Sequence, residues 1–217
     1  MSAIPSSPST DDYAQEPERD LSWIDSADPI ALFEDWLASA GETEPNDPNA
    51  LSLATVDDSG QPDVRIVLLK GLTPDGGFDF YTNSHSAKGA QLTDNPSAAM
   101  CFHWKSQRRQ VRVRGPVVEV GAKRSDAYFR SRARGSQLSA WASEQSRPAA
   151  SREELLDAVR DTEARFAGRD VPRPPHWYGF RLEADQIEFW QDGAFRVHDR
   201  ILFTRVAGRW EGTRLYP

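Results

Sequence analysis

ALSLATVDDSGQPDVRIVLLKGLTPDGGFDFYTN, residues 50–83, decides the fold class. Three runs rich in branched and aromatic side chains, ALSLATV, DVRIVLLKGL and FDFYTN, are parted by the turn-forming clusters DDSG and TPDGG. Asp and Ser supply local side-chain bonds and Gly supplies positive φ, so the pattern predicts an antiparallel meander of three strands.

The same alternation recurs in AAMCFHW (98–104), RRQVRVRGPVVEV (108–120), YGFRLEA (178–184), QIEFWQ (186–191), FRVHDRILFTRV (195–206) and RWEGTRLY (209–216). Helical spacing is confined to a few segments. DPIALFEDWLASA (28–40) places Ile30, Phe33, Trp36 and Leu37 on one face behind an early proline, and these aromatics read as core. SHSAKGAQLTDNP (84–96) reads as a short helix with a serine near its start and an Asn-Pro stop. AKRSDAYFRSRAR (122–134) and SREELLDAVRDTEARFAG (151–168) are both helical, the second opening on a capping box of Ser151 and Glu154. Between them RGSQLSAWASEQSRP (134–148) carries so many hydroxyl and amide groups that it is expected to be a binding loop. Residues 1–20, rich in Ser, Pro and acids, are expected to form a mobile arm ahead of a single domain over 21–217. The fold class is therefore mainly β with peripheral helices, an antiparallel barrel or sheet.

Composition narrows the function classes. The 217 residues hold 26 Lys and Arg against 33 Asp and Glu, a net charge of -7, which argues against non-specific attraction to nucleic acid or to an anionic membrane. SQRRQVRVRG, the most basic run, alternates Gln110, Arg112 and Arg114 on one face with Val111 and Val113 on the other, so it reads as a half-buried strand in which Gln110 supplies a ligand contact. The single cysteine, Cys101, excludes an intramolecular disulfide and sits in an apolar strand pattern as a small core residue. No run resembles a signal peptide or a spanning helix, which points to a cytoplasmic setting. Histidines 85, 103, 176 and 198 lack zinc-site spacing, so no metal is expected. GxGxxG, GxxxxGK[ST] and GxSxG are all missing from the sequence, which sets aside the Rossmann, P-loop and nucleophile-elbow chemistries.

What remains is a set of cations inside or beside strands. Arg65 and Lys70 bracket IVLL, Lys88 lies in the SAKG helix, Arg132 follows YFRS, and Arg196 and Arg200 flank His198 in IEFWQDGAFRVHDR (187–200). In a strand, positions 196, 198 and 200 share a face, giving two guanidiniums and an imidazole beside Trp190. Such cations need anionic partners, and phosphate suits the arginine fork. The plainer alternative is a solvated sheet face whose arginines pair with the chain's own carboxylates. Arg65 and Lys70 are five apart, so a regular strand would turn them to opposite sides.

IEFWQDGAFRVHDR resembles the C-terminal signature of the pyridoxamine (pyridoxine) 5′-phosphate oxidase family. LATVDDSGQPDVRIVLLK, FDFYTNSHSAKGAQL, NPSAAMCFHW, RRQVRVRG, YFRSRARGSQLSAWASEQS and the terminal RLYP match the same family in order, over roughly residues 28–217. The resemblance implies a homodimeric split β-barrel that binds one FMN per subunit at the dimer interface. It implies oxidation of pyridoxine 5′-phosphate or pyridoxamine 5′-phosphate to pyridoxal 5′-phosphate, with molecular oxygen as acceptor and hydrogen peroxide released.

Carried over by position, the resemblance implies flavin contacts from Arg65, Ile66, Val67, Leu68, Leu69, Lys70, Tyr81, Thr82, Lys88, Gln110, Gln145, Ser146, Trp190 and Arg200, with Arg65 and Lys88 on the flavin phosphate. It implies that Lys70, Tyr128, Arg132 and Ser136 hold the substrate phosphate, and that Arg196 and His198 are the catalytic pair at the reacting carbon. Three departures stand out. Ala87 replaces an arginine common in the family, which implies weaker flavin affinity; Tyr178 replaces a glycine after Trp177; and DDYAQE (11–16) replaces a motif with two arginines that can cover the substrate. Two other readings fit the same residues: a flavin oxidase of another ring system, such as a phenazine precursor, and a binding protein without catalysis.

Overall fold

In the computed structural model, which describes Ser7, Ser9–Ala14 and Arg19–Pro217, the chain forms two compact units. The expected arm, and with it DDYAQE, falls partly outside the described residues. One unit comprises Asn49–Met100 and Arg114–Ala184. Its first hairpin pairs β1 (Ala50–Val56) with β2 (Pro62–Leu68) antiparallel, from Ala50 against Leu68 to Val56 against Pro62. Asp57 builds the turn: its Oδ1 accepts from Ser59 N at 3.0 Å and Gln61 N at 2.9 Å, while Gly60 takes φ 84°. Leu51, Leu53 and Thr55 are buried at every second position, as a half-buried strand requires.

DVRIVLLKGL is two strands and not one. Pairing with β1 ends at Leu68; Leu69 N still donates to Asn49 O at 2.9 Å, but Lys70 N donates to Asp79 O at 2.8 Å. The chain has changed partners, and β3 (Gly71–Leu72) runs against β4 (Gly77–Asn83). Strand alternation therefore lapses between Arg65 and Lys70, so the opposite-face rule of a regular strand does not apply to them.

Strand β4 is buried at six of its seven positions and pairs along its whole length with β7 (Trp177–Glu183). Phe80 and Phe180 face each other at 5.7 Å within this pair. The hairpin of β5 (Ser97–Trp104) and β6 (Arg109–Glu119) runs through both units; in this one β5 neighbours β1, and Val117–Glu119 pair with β7. Asp79, wholly buried in β4, is neutralised by Arg181, with Nε at 2.7 Å, and by Arg124, with Nη2 at 2.7 Å. Breaking a buried pair leaves charge without compensation. Asp79→Asn is therefore expected to cost about 3 kcal/mol, the low end for a buried pair because both arginines are partly exposed, read as a lower denaturant midpoint at unchanged slope.

Helix α3 (Ala87–Asp94) starts at Ser86, whose hydroxyl accepts from Gly89 N at 3.3 Å. The expected helix over 122–134 ends early, and a second helix follows it. α4 (Ala122–Ser131) stops at Arg132, which adopts φ -72° and ψ 149°, and α5 (Arg134–Ala142) begins after Ala133. RGSQLSAWASEQSRP, expected as a loop, is thus helical over its first nine residues. Two apolar anchors explain it: Leu138 enters a cluster with Phe129, Phe166, Val171 and Trp177, and Trp141 packs on Phe166 at 5.5 Å. α6 (Arg152–Arg165) opens as its capping box predicts, with Ser151 Oγ accepting from Glu154 N at 3.2 Å and Glu154 Oε2 reaching back to Ala150 N at 2.6 Å.

The other unit contains the described chain up to Pro48, together with Cys101–Val113 and Asp185–Pro217. α1 (Thr10–Ala14) is a short turn of helix near the N-terminus. α2 (Pro29–Thr43) is capped by Asp28, whose Oδ1 accepts from Ile30 N at 2.9 Å, and buries Ile30, Phe33, Trp36 and Ala40, leaving Leu37 at the margin. Trp36 lies edge-on to Phe189 at 5.1 Å and Phe33 to Phe102 at 4.9 Å, so these rings are core, as the spacing predicts. β8 (Gln186–Gln191), β9 (Asp199–Val206) and β10 (Arg209–Arg214) form an antiparallel run, with β6 on the far side of β8. Val111 and Val113 are buried while Arg112 and Arg114 are exposed, matching the alternation read in SQRRQVRVRG. No helix among the described residues is long and apolar enough to cross a membrane.

Candidate functional site: two cation clusters and an imidazole turn

The first cluster lies where β2, β4 and α3 meet in the unit that begins at Asn49. Lys88 Nζ reaches Gln145 Oε1 at 2.8 Å and Thr82 Oγ1 at 3.2 Å, and Thr82 Oγ1 donates to Gln145 at 3.1 Å. Arg65 contacts Thr55 Oγ1 at 2.5 Å, Gln91 Oε1 at 3.1 Å and Asp63 Oδ2 at 2.5 Å. Burial, and then the nearby Arg65 guanidinium, hold the Lys88 ammonium below the ordinary lysine range. Among the described residues Lys88 is given only neutral oxygens, so two mutually repelling cations share one carboxylate, Asp63. An anion placed between them would relieve that repulsion. Gly89 is forced here: an added Cβ would overlap the Ser84 backbone. Ile66 is exposed, Val67 and Leu68 are half-buried, and Leu69 is buried. Ser146, in the turn after α5, is held at φ 72°, a conformation that costs a non-glycine residue free energy.

The second cluster is in the same unit. Tyr81, Tyr128 and Trp177 stack nearly parallel, at 4.1 Å between the tyrosines and 5.4 Å from Tyr81 to Trp177. Arg132 lies over Trp177 at 4.8 Å, and its Nη1 is buried with no hydrogen-bond partner. That orphaned donor is the observation on which the site turns, since a buried guanidinium nitrogen costs free energy until an acceptor arrives. Burial draws the Arg132 guanidinium below the usual arginine range, and it raises the Tyr128 phenol, which keeps its proton to donate. Ser136 lies half-buried in the first turn of α5, and Lys70 is exposed at the strand break. Gly179 is where Tyr81 packs, since a Cβ would come within 2.7 Å of its ring; Tyr178, the departure noted above, lies against Phe180 at 5.1 Å, off this stack.

The third element belongs to the other unit and corrects the sequence reading. FRVHDR is not strand throughout. Ala194–Arg196 form a 3-10 turn in which Phe195 and Arg196 take φ 55° and 65°, and β9 begins only at Asp199. Arg196 and His198 therefore do not share a strand face with Arg200. The cause is Gly193, where a Cβ would overlap Val197 O, so the chain folds tightly back on itself there. Trp190 nonetheless lies against His198, ring to ring at 4.7 Å, and Gln110 is half-buried in β6.

Arg200 does not wait for an external anion. Its Nε and Nη2 grip Glu188 Oε1 at 2.9 and 2.7 Å, while Glu188 Oε2 takes Arg112 Nη1 at 3.1 Å. Here the alternative of internal carboxylate partners holds. Glu188 was missed, although the alternation of QIEFWQ puts it on the same side as Trp190. Asp192, the other carboxylate missed, contacts His198 Nδ1 at 2.9 Å. Among the described residues no group of three or more His, Cys, Asp or Glu could hold a metal ion. Cys101 is half-buried, and burial pushes its thiol up, which suits a packing residue and not a nucleophile.

Lys88 in the first turn of α3 and Arg132 beside the stacked aromatics are cations set on a strand-rich framework within one unit. Residues 39–166 match the family model described as pyridoxamine 5′-phosphate oxidase, and residues 177–217 match the pyridoxine 5′-phosphate oxidase C-terminal dimerisation region. The chain belongs to the pyridoxamine 5′-phosphate oxidase family, and its fold is that family's split β-barrel. The pyridoxine/pyridoxamine 5′-phosphate oxidase of Hyphomonas neptunium is 58% identical over 100% of this chain and 99% of its own length; that of Maricaulis maris is 56% identical over 99% and 97%. Among solved structures, PhzG of Burkholderia lata in complex with tetrahydrophenazine-1-carboxylic acid superposes with a TM-score of 0.85 at 30% identity, covering 92% of this chain and 98% of that one. An FMN-binding protein of Nostoc punctiforme shares the fold at a TM-score of 0.72 and 18% identity, covering 88% and 100%.

Proposed function

We propose that this chain is an FMN-dependent oxidase that converts pyridoxine 5′-phosphate and pyridoxamine 5′-phosphate to pyridoxal 5′-phosphate. It works as a homodimer in the cytoplasm, with FMN at the subunit interface. The observation that carries the proposal is the buried, unpartnered Nη1 of Arg132 beside the Tyr128 phenol, a receptor for a phosphate on a flat ring. The orphaned donor and the repelling pair of Arg65 and Lys88 fit two separate phosphates, one on the substrate and one on the flavin. FMN, when bound, supplies the two-electron acceptor chemistry, and oxygen regenerates it with release of hydrogen peroxide.

The residues bind and orient. Lys88 and Arg65 hold the flavin phosphate; Ile66, Val67, Leu68, Leu69 and Lys70, with Tyr81, Thr82, Gln110, Gln145, Ser146, Trp190 and Arg200, line the remainder of the flavin. Lys70, Tyr128, Arg132 and Ser136 hold the substrate phosphate, and Arg196 and His198 face its reacting carbon. Arg200 acts here through its bond to Glu188, which keeps its guanidinium in one orientation.

Lys88→Gln is expected to weaken FMN binding by roughly 10- to 100-fold, the worth of one charge-assisted phosphate contact, measured by quenching of flavin fluorescence. The lowered Lys88 value carries a sign that can be tested. Between that value and the ordinary lysine value the folded, ligand-free protein carries fewer protons here than the unfolded chain, so this group's penalty on stability fades as pH rises. A phosphate dianion reverses the shift. FMN binding in that alkaline window should therefore take up a proton, seen as a buffer-dependent binding enthalpy that Lys88→Gln abolishes.

The reading itself is tested by comparing pyridoxine phosphate, pyridoxine and a dihydrophenazine carboxylate as substrates of the FMN-loaded protein. A preference for the phosphorylated ring by more than about 100-fold in kcat/KM supports it. The similarity to PhzG favours the phenazine compound as the alternative, and turnover of that compound in preference to pyridoxine phosphate would overturn the proposal.

A further inference from the structure

The proposed reaction places His198 at the substrate, but an imidazole is useful there only with a defined nitrogen presented to it. In the neutral ring one nitrogen donates and the other accepts, and the partner of one decides the role of the other. Asp192 is that partner. Its Oδ1 lies 2.9 Å from His198 Nδ1, and the carboxylate is itself pinned at several points. Arg108 clamps Oδ2 through Nε at 2.9 Å and Nη2 at 2.5 Å. Asp192 N donates to Arg108 O at 3.0 Å, and Asp192 O accepts from Arg19 Nη1 at 2.5 Å; Arg19 also pairs with Asp199 at 3.0 Å. The Trp190 ring closes the remaining side of the imidazole at 4.7 Å.

We infer that Asp192 is a positioning residue that holds the proton of His198 on Nδ1, so that Nε2 is presented to the substrate as a hydrogen-bond acceptor. The carboxylate can only accept, so a bare Nδ1 would set two lone pairs against each other at 2.9 Å. Gly193 N is a competing donor, 3.1 Å from Nδ1 and 3.0 Å from Asp192 Oδ1. The charged oxygen is the stronger acceptor of the two, and with the Gly193 hydrogen turned to it Nδ1 keeps its own. The side chain that decides which way the imidazole faces is thus a carboxylate six residues upstream, clamped by Arg108, while Arg19 holds the backbone carbonyl of the same residue.

The inference rests on the reading of His198 as a substrate contact, and its test separates the two. Nitrogen-15 spectra of the FMN-loaded, histidine-labelled protein, assigned by comparison with His198→Gln, report which ring nitrogen carries the proton without any turnover. The expected result is a protonated Nδ1 in the native protein and a shift of the proton toward Nε2 in Asp192→Asn, whose amide can donate. With pyridoxine phosphate, Asp192→Asn should lower kcat about tenfold while KM moves less than about threefold, since the loss falls on the proton-accepting group. Arg108→Gln breaks the clamp and leaves the carboxylate in place, so its His198 spectrum should match the native one. A native His198 protonated on Nε2, an unchanged spectrum in Asp192→Asn, or an equal change in Arg108→Gln would each overturn the inference. Failure of the oxidase reading registers separately, as native protein that turns over neither phosphorylated substrate.

Discussion

Arg132→Ala is expected to lower kcat/KM for pyridoxine phosphate by two orders of magnitude or more, about the effect of withdrawing one member of a desolvated charge pair. The argument begins in the free protein, where Nη1 of Arg132 is buried against Trp177 and Phe129 without an acceptor. The fold has met the cost of desolvating that donor before any ligand arrives, so a phosphate oxygen recovers it in full. The same reasoning fixes the controls. Unphosphorylated pyridoxine should be turned over equally poorly by the native protein and by Arg132→Ala. FMN content should be unchanged, because Arg65 and Lys88 form a separate cluster. Arg132→Lys should restore only part of the loss, since an ammonium cannot offer the forked pair of donors. Unchanged turnover of pyridoxine phosphate in Arg132→Ala would remove the substrate assignment of the second cluster.

The second large effect is expected from a methyl group. Gly193→Ala places a Cβ onto Val197 O, a backbone atom that cannot swing aside, and within 3.1 Å of Arg19 Nη1. The backbone of Gly193 is extended, at φ -135° and ψ 147°, so the constraint is space and not torsion. The turn must open, carrying Arg196 and His198 from their places and parting His198 from Trp190. Displacements near 1 Å at a reacting centre cost about 100-fold, and a fall of that size in kcat is expected while flavin is retained. The measurement is steady-state kinetics beside the flavin visible spectrum. A variant with native kcat would mean that the geometry of this turn is irrelevant to the reaction.

How much of this was legible in the sequence depended on which physical signal carried it. Strand positions with one buried face, such as β1 and the Val111 and Val113 side of β6, announce themselves by alternation, and the helices announce themselves by Asp28, Ser86 and Ser151 at their starts. The change of partner between Leu68 and Gly71 was visible only as a contradiction, the odd spacing of Arg65 and Lys70, because no turn former marks it. α5 was hidden because its outward face is rich in Ser and Gln, while the two anchors that make it a helix, Leu138 and Trp141, act through tertiary contacts. The same holds for the site. Alternation alone placed Arg196, His198 and Arg200 on one face, and it failed there because Gly193 forces a turn that no residue count reveals. Which arginines meet carboxylates and which do not is a matter of three-dimensional pairing. Arg200 has Glu188, Arg65 shares Asp63, and Arg132 has an unpartnered Nη1.

The central claim, oxidation of a phosphorylated vitamin ring by a flavin-loaded homodimer, is tested most directly by one aerobic assay. The purified, FMN-saturated protein is given pyridoxine phosphate or pyridoxamine phosphate, and pyridoxal phosphate and hydrogen peroxide are followed together. The account predicts both products in equal amounts from each substrate, with no turnover when FMN is removed. A flavin-loaded protein that forms neither product from either substrate would contradict it.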